Sequence, residues 1–269
     1  MKNFTSYLLL TFLFAGVLCA QEKYPVQNDV ITGLFSRLTE STNDPERQQI
    51  NDSIKQFARE YAASETVFSF NYDARYLGQV TSPDSLVKII TWNLLLESGK
   101  NEFFCFLVKK ETNTGNSISE LTGEFSDKPL LSDTTYTISD WYGALYYDIH
   151  PLPDGKKNCW VVLGLDYGSS DISRKIVDVI SFEDQKPVFG KKIFRDPEGL
   201  RYRHVFEYSS LGSMTLRFAS DSTIVFDHLV PISADRGKTY LGPDFSYDSY
   251  TFSDGKWIFK LNVDARNKE

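Results

Sequence analysis

Histidine and cysteine are scarce in this chain of 269 residues, which carries three of each. His150, His204 and His228 stand far apart in sequence. None has the close-spaced His, Cys or Glu partner of a metalloprotease motif, so neither metal nor cofactor is expected. A Gly-x-Ser-x-Gly elbow is missing, and so is a glycine-rich phosphate loop. The usual local signs of an activated serine and of nucleotide binding are therefore absent. Positive charge is short as well: 29 Lys and Arg against 36 Asp and Glu leave a net charge of −7. The densest basic stretches, Lys191-Lys192 and Arg201 to Arg203, have acids nearby and read as solvated strand edges. Without a basic cluster the chain lacks the footprint of a nucleic-acid binder and of a polybasic membrane patch. Long apolar runs are lacking too, and nothing after residue 20 is apolar enough to span a bilayer.

What is there begins with an export signal. Lys2 supplies a positive start, Tyr7 to Leu18 is apolar and uncharged, and small Ala20 precedes Gln21. This order is that of a secretory signal peptide covering residues 1–20. The run is roughly a dozen residues, whereas a spanning helix needs about 20. Cys19 follows Leu18 rather than a small residue, which disfavours lipidation there. The mature protein is expected to begin at Gln21, in the periplasm or outside the cell. Cys105 and Cys159 remain after cleavage, and an oxidising compartment permits a disulfide between them. Both also sit in apolar runs, where free cysteines are commonly buried.

Residues 21–65 read as a helical pair packed on a β domain over 66–269. Val30, Ile31, Leu34, Phe35 and Leu38 recur at helical spacing, as do Ile50, Ile54, Phe57 and Tyr61. Asp44 is the expected N-cap of the second helix, with Pro45 at its first turn. From Thr66 short apolar runs alternate with polar turns. Leu86 to Leu96 and Phe103 to Val108 are apolar on both faces and read as central strands. Residues 111–140 form a long polar connection with at most one short strand, and 229–245 a second such connection. The strands between and beyond follow at close spacing. The fold class is mainly β, an antiparallel meander that is sandwich-like or incomplete propeller-like, with an N-terminal pair of α-helices.

Two local registers are expected. A two-residue turn at Asp254-Gly255 sets Phe252 opposite Trp257 and Tyr250 opposite Phe259. A three-residue loop at Ala219 to Asp221 sets Leu216 opposite Ile224.

Two functional classes fit these features. The favoured one is a non-catalytic binding protein whose partner is a glycan or an envelope protein. Its candidate binding residues are Trp141, Tyr142, Tyr146 and Tyr147, because exposed aromatics stack on sugars and anchor protein partners. The alternative is a carboxylate-dependent hydrolase of glycan or other envelope material, which needs only two placed acids. Asp166, Asp171, Asp227, Asp244 and Asp248 are its candidates. Asp227-His228 is no catalytic pair, since adjacent residues of a strand face apart.

Several stretches resemble a group of exported Bacteroidetes proteins without an assigned activity. They are Ser82 to Asn93, Pro187 to Gly190, Arg203 to Ser209, Ile224 to Pro231 and Tyr240 to Phe259. Together they cover most of the chain after the helices. The resemblance implies export and supplies no catalytic residue.

Overall fold

A computed structural model describes residues 26–111, 115–124, 126, 129–155, 158–169, 171–233 and 239–265. Residues 1–20, read from the sequence as a signal peptide, and Cys19 within them lie outside the described residues. Two helices lead: α1 runs through 26–40 and α2 spans Asp44–Ala62. The N-cap of α2 is Asn43 rather than Asp44, its side chain accepting from the Glu46 amide at 3.0 Å. Asp44 and Pro45 thus move one place inward. Both contribute there, an acid beside the positive helix end and a proline where no amide partner is required.

Three sheets follow. Sheet I is the meander β1 (Gly78–Thr81), β2 (Val87–Leu95), β3 (Asn101–Lys110) and β4 (Asn116–Glu124). Sheet II holds β5 (Leu145–Pro151), β6 (Cys159–Asp166) and β7 (Ile172–Glu183). The outer edge of β7 is shared by β8 (Lys186–Phe189) and β11 (His204–Ser209). Sheet III runs in the order β10 (Gly199–Arg201), β9 (Phe194–Asp196), β15 (Lys256–Lys260), β14 (Thr239–Ser253), β13 (Thr223–Ser233) and β12 (Leu216–Ser220). Every pairing is antiparallel except β9 with β15, where Trp257 lies beside Phe194. The described sheets do not close into a barrel.

Side-chain alternation stacks these elements in chain order. Ile90, Trp92, Phe104 and Phe106 point to the helices, where they meet Ile31, Phe35, Ile50, Ile54 and Tyr61. Val87, Ile89, Phe103, Cys105 and Leu107, on the opposite face, meet Trp160, Val162, Ile176 and Ile180 of sheet II. The other face of sheet II presents Val161, Leu163, Val177 and Val179 to Phe226, Tyr250 and Trp257 of sheet III. Strands β2, β3, β6 and β7 therefore carry apolar residues on both faces, because they have a layer on each side. Fully burying each large apolar side chain contributes about 1.5–3 kcal/mol. Helix α2 is also pinned by a hydrogen bond, from Trp92 Nε1 to Asn51 Oδ1 at 2.8 Å.

The C-terminal hairpin has the expected register. Phe252 opposes Trp257 and Tyr250 opposes Phe259, with both pairs on the core side. Asp254 and Gly255 take positive φ of 50° and 75°, as a turn twisted to match its strands requires. The β12–β13 register differs from expectation: Leu216 opposes Phe226, not Ile224. The turn is Asp221-Ser222, and the ladder shifts at Ala219, between Phe218 and Ser220. The displacement is two residues, which preserves the face of every side chain, so Leu216 still enters the core. The polar stretch 229–245 is largely paired strand: Leu229 to Ser233 face Pro243 to Thr239.

The disulfide expected as one state of Cys105 and Cys159 is not formed; both are buried free thiols. Cys105 lies between sheets I and II, and Cys159 lies between sheets II and III. One sheet thickness separates the two environments, and their side chains never share an interlayer.

Candidate functional site

The polar segment after β4 folds back over the edges of sheets II and III. Its anchor is Arg203, which sits between β10 and β11 with no exposed surface. The Arg203 guanidinium donates to Asp178 Oδ2 at 2.8 Å and to the carbonyls of Leu131, Thr134 and Phe189 at 2.5, 2.8 and 3.1 Å. Asp178 stands in the otherwise apolar run Ile176 to Ile180 and is likewise fully buried. Burial pushes its carboxyl up from the ordinary value, against the pull of Arg203. The amide of Tyr202 donates to the Ser132 carbonyl at 2.8 Å, and Tyr136 bridges Phe189 in both directions. Gly190 makes room for this. At φ +104° it brings backbone to a point where an added Cβ would stand 2.6 Å from the Arg203 guanidinium. Gly190→Ala is therefore expected to destabilise the protein by about 2–3 kcal/mol in chemical denaturation, combining backbone strain with displacement of a buried ion.

The anchored segment walls a cleft of about 610 Å³. Pro129, Leu130, Pro197, Val205, Phe259 and Leu261 form its apolar surfaces. Asp196, Glu198, Arg201, His204 and Glu207 bring polar groups to it. The volume and the mix of apolar wall with a few polar groups are those of a small-molecule site. Arg201 binds Asp196 through Nε at 2.5 Å, Ser132 Oγ through one terminal nitrogen at 2.9 Å and Glu198 through the other. Asp196 also accepts from the amides of Glu198 and Gly199, both at 2.9 Å, which shapes the β9–β10 turn. Glu207 is held by Arg174 Nε at 2.9 Å. His204 bonds the Tyr250 hydroxyl at 2.6 Å and stacks on Phe206. Burial pushes its imidazole down to about 4, so it is neutral at pH 7.

The aromatic quartet read from the sequence does not form an exposed patch. Trp141 and Tyr146 are buried at 3% and 2% exposure, and Tyr142 is partly buried. Trp141 Nε1 donates to the Tyr146 hydroxyl, that hydroxyl contacts the one of Tyr142, and Tyr142 donates to Asp178, each at 3.0 Å. These three residues form a buried polar chain ending on the Arg203–Asp178 pair. Only Tyr147 is exposed, at 36%, and its hydroxyl is tied to the Leu216 carbonyl at 2.9 Å. Aromatics fill interlayer space, and here that packing outweighs display at the surface.

The five candidate acids each have local work, and none lines the cleft. Asp166 accepts from Arg174 and the Gly168 amide, Asp171 from Tyr240, and Asp227 from the Thr215 amide. Asp244 holds Ser246 in a tight turn. Asp248 accepts from the Asn262 amide and pairs with His228 at 2.7 Å. Asp227 does not orient His228; the cross-strand Asp248 does, where the ladder breaks between Asp227 and Leu229. The hydrogen bond to Asp248 holds the His228 imidazole above its ordinary value. Among the described residues no three metal-ligating side chains converge.

Of the cleft residues, Arg201 and Arg203 belong to a basic stretch whose sequence reads as a solvated strand edge. Arg203 is wholly buried and Arg201 is ion-paired inside the cleft, which corrects that reading. Asp178 within an apolar strand was the legible sign, because a carboxylate buried on both sides requires a cationic partner. No family model, no curated protein and no solved structure matches the chain.

Proposed function

We propose that this is an exported protein that binds a ligand outside the cytoplasm without turning it over, and that the cleft is its binding site. The fixed state of the cleft's polar groups supports this most directly. Asp196, nearly buried, is held by Arg201 and by the amides of Glu198 and Gly199, and Arg201 is further tied to Ser132. Groups locked in such pairs present a rigid recognition surface, whereas general acid–base catalysis needs a carboxyl poised to exchange its proton with substrate. The export signal and the resemblance to exported proteins support the location. The ligand class fitting that location is a glycan or peptide fragment of the envelope.

Equilibrium dialysis of the purified protein against an enzymatic digest of bacterial envelope, with mass-spectrometric recovery, tests this. At least one component should be retained chemically unchanged. Leu261 is 55% exposed on the cleft wall, so Leu261→Trp should fill the cleft without disturbing the core and reduce retention about ten-fold. Consumption of a component rather than retention overturns the non-catalytic reading. Retention indifferent to Leu261→Trp overturns the cleft assignment.

A further inference from the structure

One imidazole nitrogen on the cleft wall is left open by the fold, and the residue behind it decides what that nitrogen carries. His204 lines the cleft, is partly exposed there and uses Nδ1 on the Tyr250 hydroxyl. Tyr250 has no exposed surface, and among the described residues its hydroxyl has no other partner. A hydroxyl that only accepted from Nδ1 would bury its own proton unmatched, so the hydroxyl donates and Nδ1 accepts. The imidazole is neutral at pH 7, and its one proton therefore sits on Nε2. Nε2 meets no acceptor among the described residues and is open to solvent, so it presents an N–H to the cleft. Arg201, also on the lining, donates three of its five N–H groups to Asp196, Ser132 and Glu198 and keeps two.

The setting restricts what can use these donors. Arg201 is already matched by two carboxylates, Asp196 and Glu198, and Glu207 is a third on the lining. A free carboxylate is opposed there, and an uncharged acceptor is not. The walls around the donors, Leu130, Pro197, Val205, Phe259 and Leu261, are apolar. We infer that the cleft takes an uncharged amide set between apolar groups, as an apolar stretch of peptide presents it, and that His204 Nε2–H donates to the amide carbonyl. The inference rests on the cleft being the binding site. A sugar acetamide offers the same carbonyl, but its ring hydroxyls would give up water for walls that return no hydrogen bond.

Three probes test this at pH 7: N-acetylleucine methylamide, N-acetylleucine and N-acetylglucosamine. Each is titrated into uniformly ¹⁵N-labelled protein. Amide shifts are followed at residues 196–207 and at Leu261, and the imidazole nitrogens of His204 are followed in the same samples. The free protein should show a protonated Nε2 and an unprotonated Nδ1. The methylamide should shift Nε2 and should bind the cleft more tightly than the free acid or the sugar. His204→Phe made together with Tyr250→Phe keeps both rings and leaves no orphaned hydroxyl. This pair should weaken the methylamide about five-fold, the scale of one neutral hydrogen bond. A proton on Nδ1, or a folded double variant that binds the methylamide as tightly as the parent, overturns the role of His204. Equal binding of the sugar overturns the choice of peptide, and equal binding of the acid overturns the preference for an uncharged ligand. If no probe moves the cleft resonances, the inference falls; the cleft assignment falls with it only where the envelope digest also leaves those resonances unmoved.

Discussion

Lys88→Met should make the protein more stable at pH 7, by about 1–3 kcal/mol. Lys88 has no exposed surface, although it lies in β2 on the face covered by the helices. Its ammonium reaches Asn71 Oδ1 and lies 5.8 Å from the centre of the Tyr61 ring, and among the described residues no carboxylate is paired with it. Burial pushes its pKa from the ordinary 10.5 down to about 8. Each unit of such a shift corresponds to about 1.4 kcal/mol between protonation states. The sign follows from proton counting. Between pH 8 and 10.5 the unfolded chain holds a proton on Lys88 that the folded chain has released, so this residue's contribution to stability improves as pH rises. Below pH 8 both states are protonated and the penalty is constant. The gap between Lys88→Met and the parent should therefore be flat to pH 8 and close towards 10.5. Paired urea titrations across that range cancel the other titrating groups, including the buried tyrosines, whose raised values take stability away at high pH. A gap that does not change with pH would show Lys88 to be charged without cost.

Arg203→Met should be the opposite case, a loss of about 3–5 kcal/mol. The substitution leaves Asp178 buried without its counter-charge and removes the donors from Leu131, Thr134 and Phe189. The added change Asp178→Leu should recover most of the loss, because an ion pair replaced whole by apolar groups is often neutral in cost. The recovered double variant should still release the 129–136 segment. Hydrogen exchange at the Tyr202 amide, bonded to Ser132, reads this directly and should speed up in both variants. A double variant as unstable as the single one would place the cost in packing rather than in the unpaired charge.

The fold was legible where periodicity carried it. Trp92 and Phe104 were in an apolar run too continuous for a half-exposed strand, and the structure places a layer on each side of them. The C-terminal hairpin was legible to the residue because Asp254-Gly255 names its own turn type. Where glycine was absent, the turn was hidden. Asp184-Gln185 is a two-residue turn with φ of 47° and 64°, although neither residue is a glycine that would mark it. The shift at Ala219 was hidden for the same reason, since no residue type marks it. The site was much less legible. Its carboxylates and guanidiniums come from β7, from the β9–β10 hairpin and from β11 and the residue before it, the segment after β4 adds apolar wall and carbonyls, and their meeting depends on sheet order rather than on local spacing. The aromatic cluster at 141–147 was conspicuous, and it turned out to line the interlayer behind the cleft wall.

The stacking of layers in chain order also bears on how the protein is made. Helices and sheet I come first, and they cover one another. Sheet II then covers the far face of sheet I, but in doing so it presents Val161, Leu163, Val177 and Val179 outward. Those side chains find much of their cover, Leu216, Ile224, Phe226, Tyr250 and Trp257, only when β12 to β15 arrive at the end of the chain. A nascent chain halted before that point is a folded stack with one bare apolar wall, the kind of surface that holdase chaperones grip and that drives aggregation at high concentration. The last strands are thus the lid of the synthesis, and a chain clipped before β12 should depend on chaperones in a way the whole chain does not.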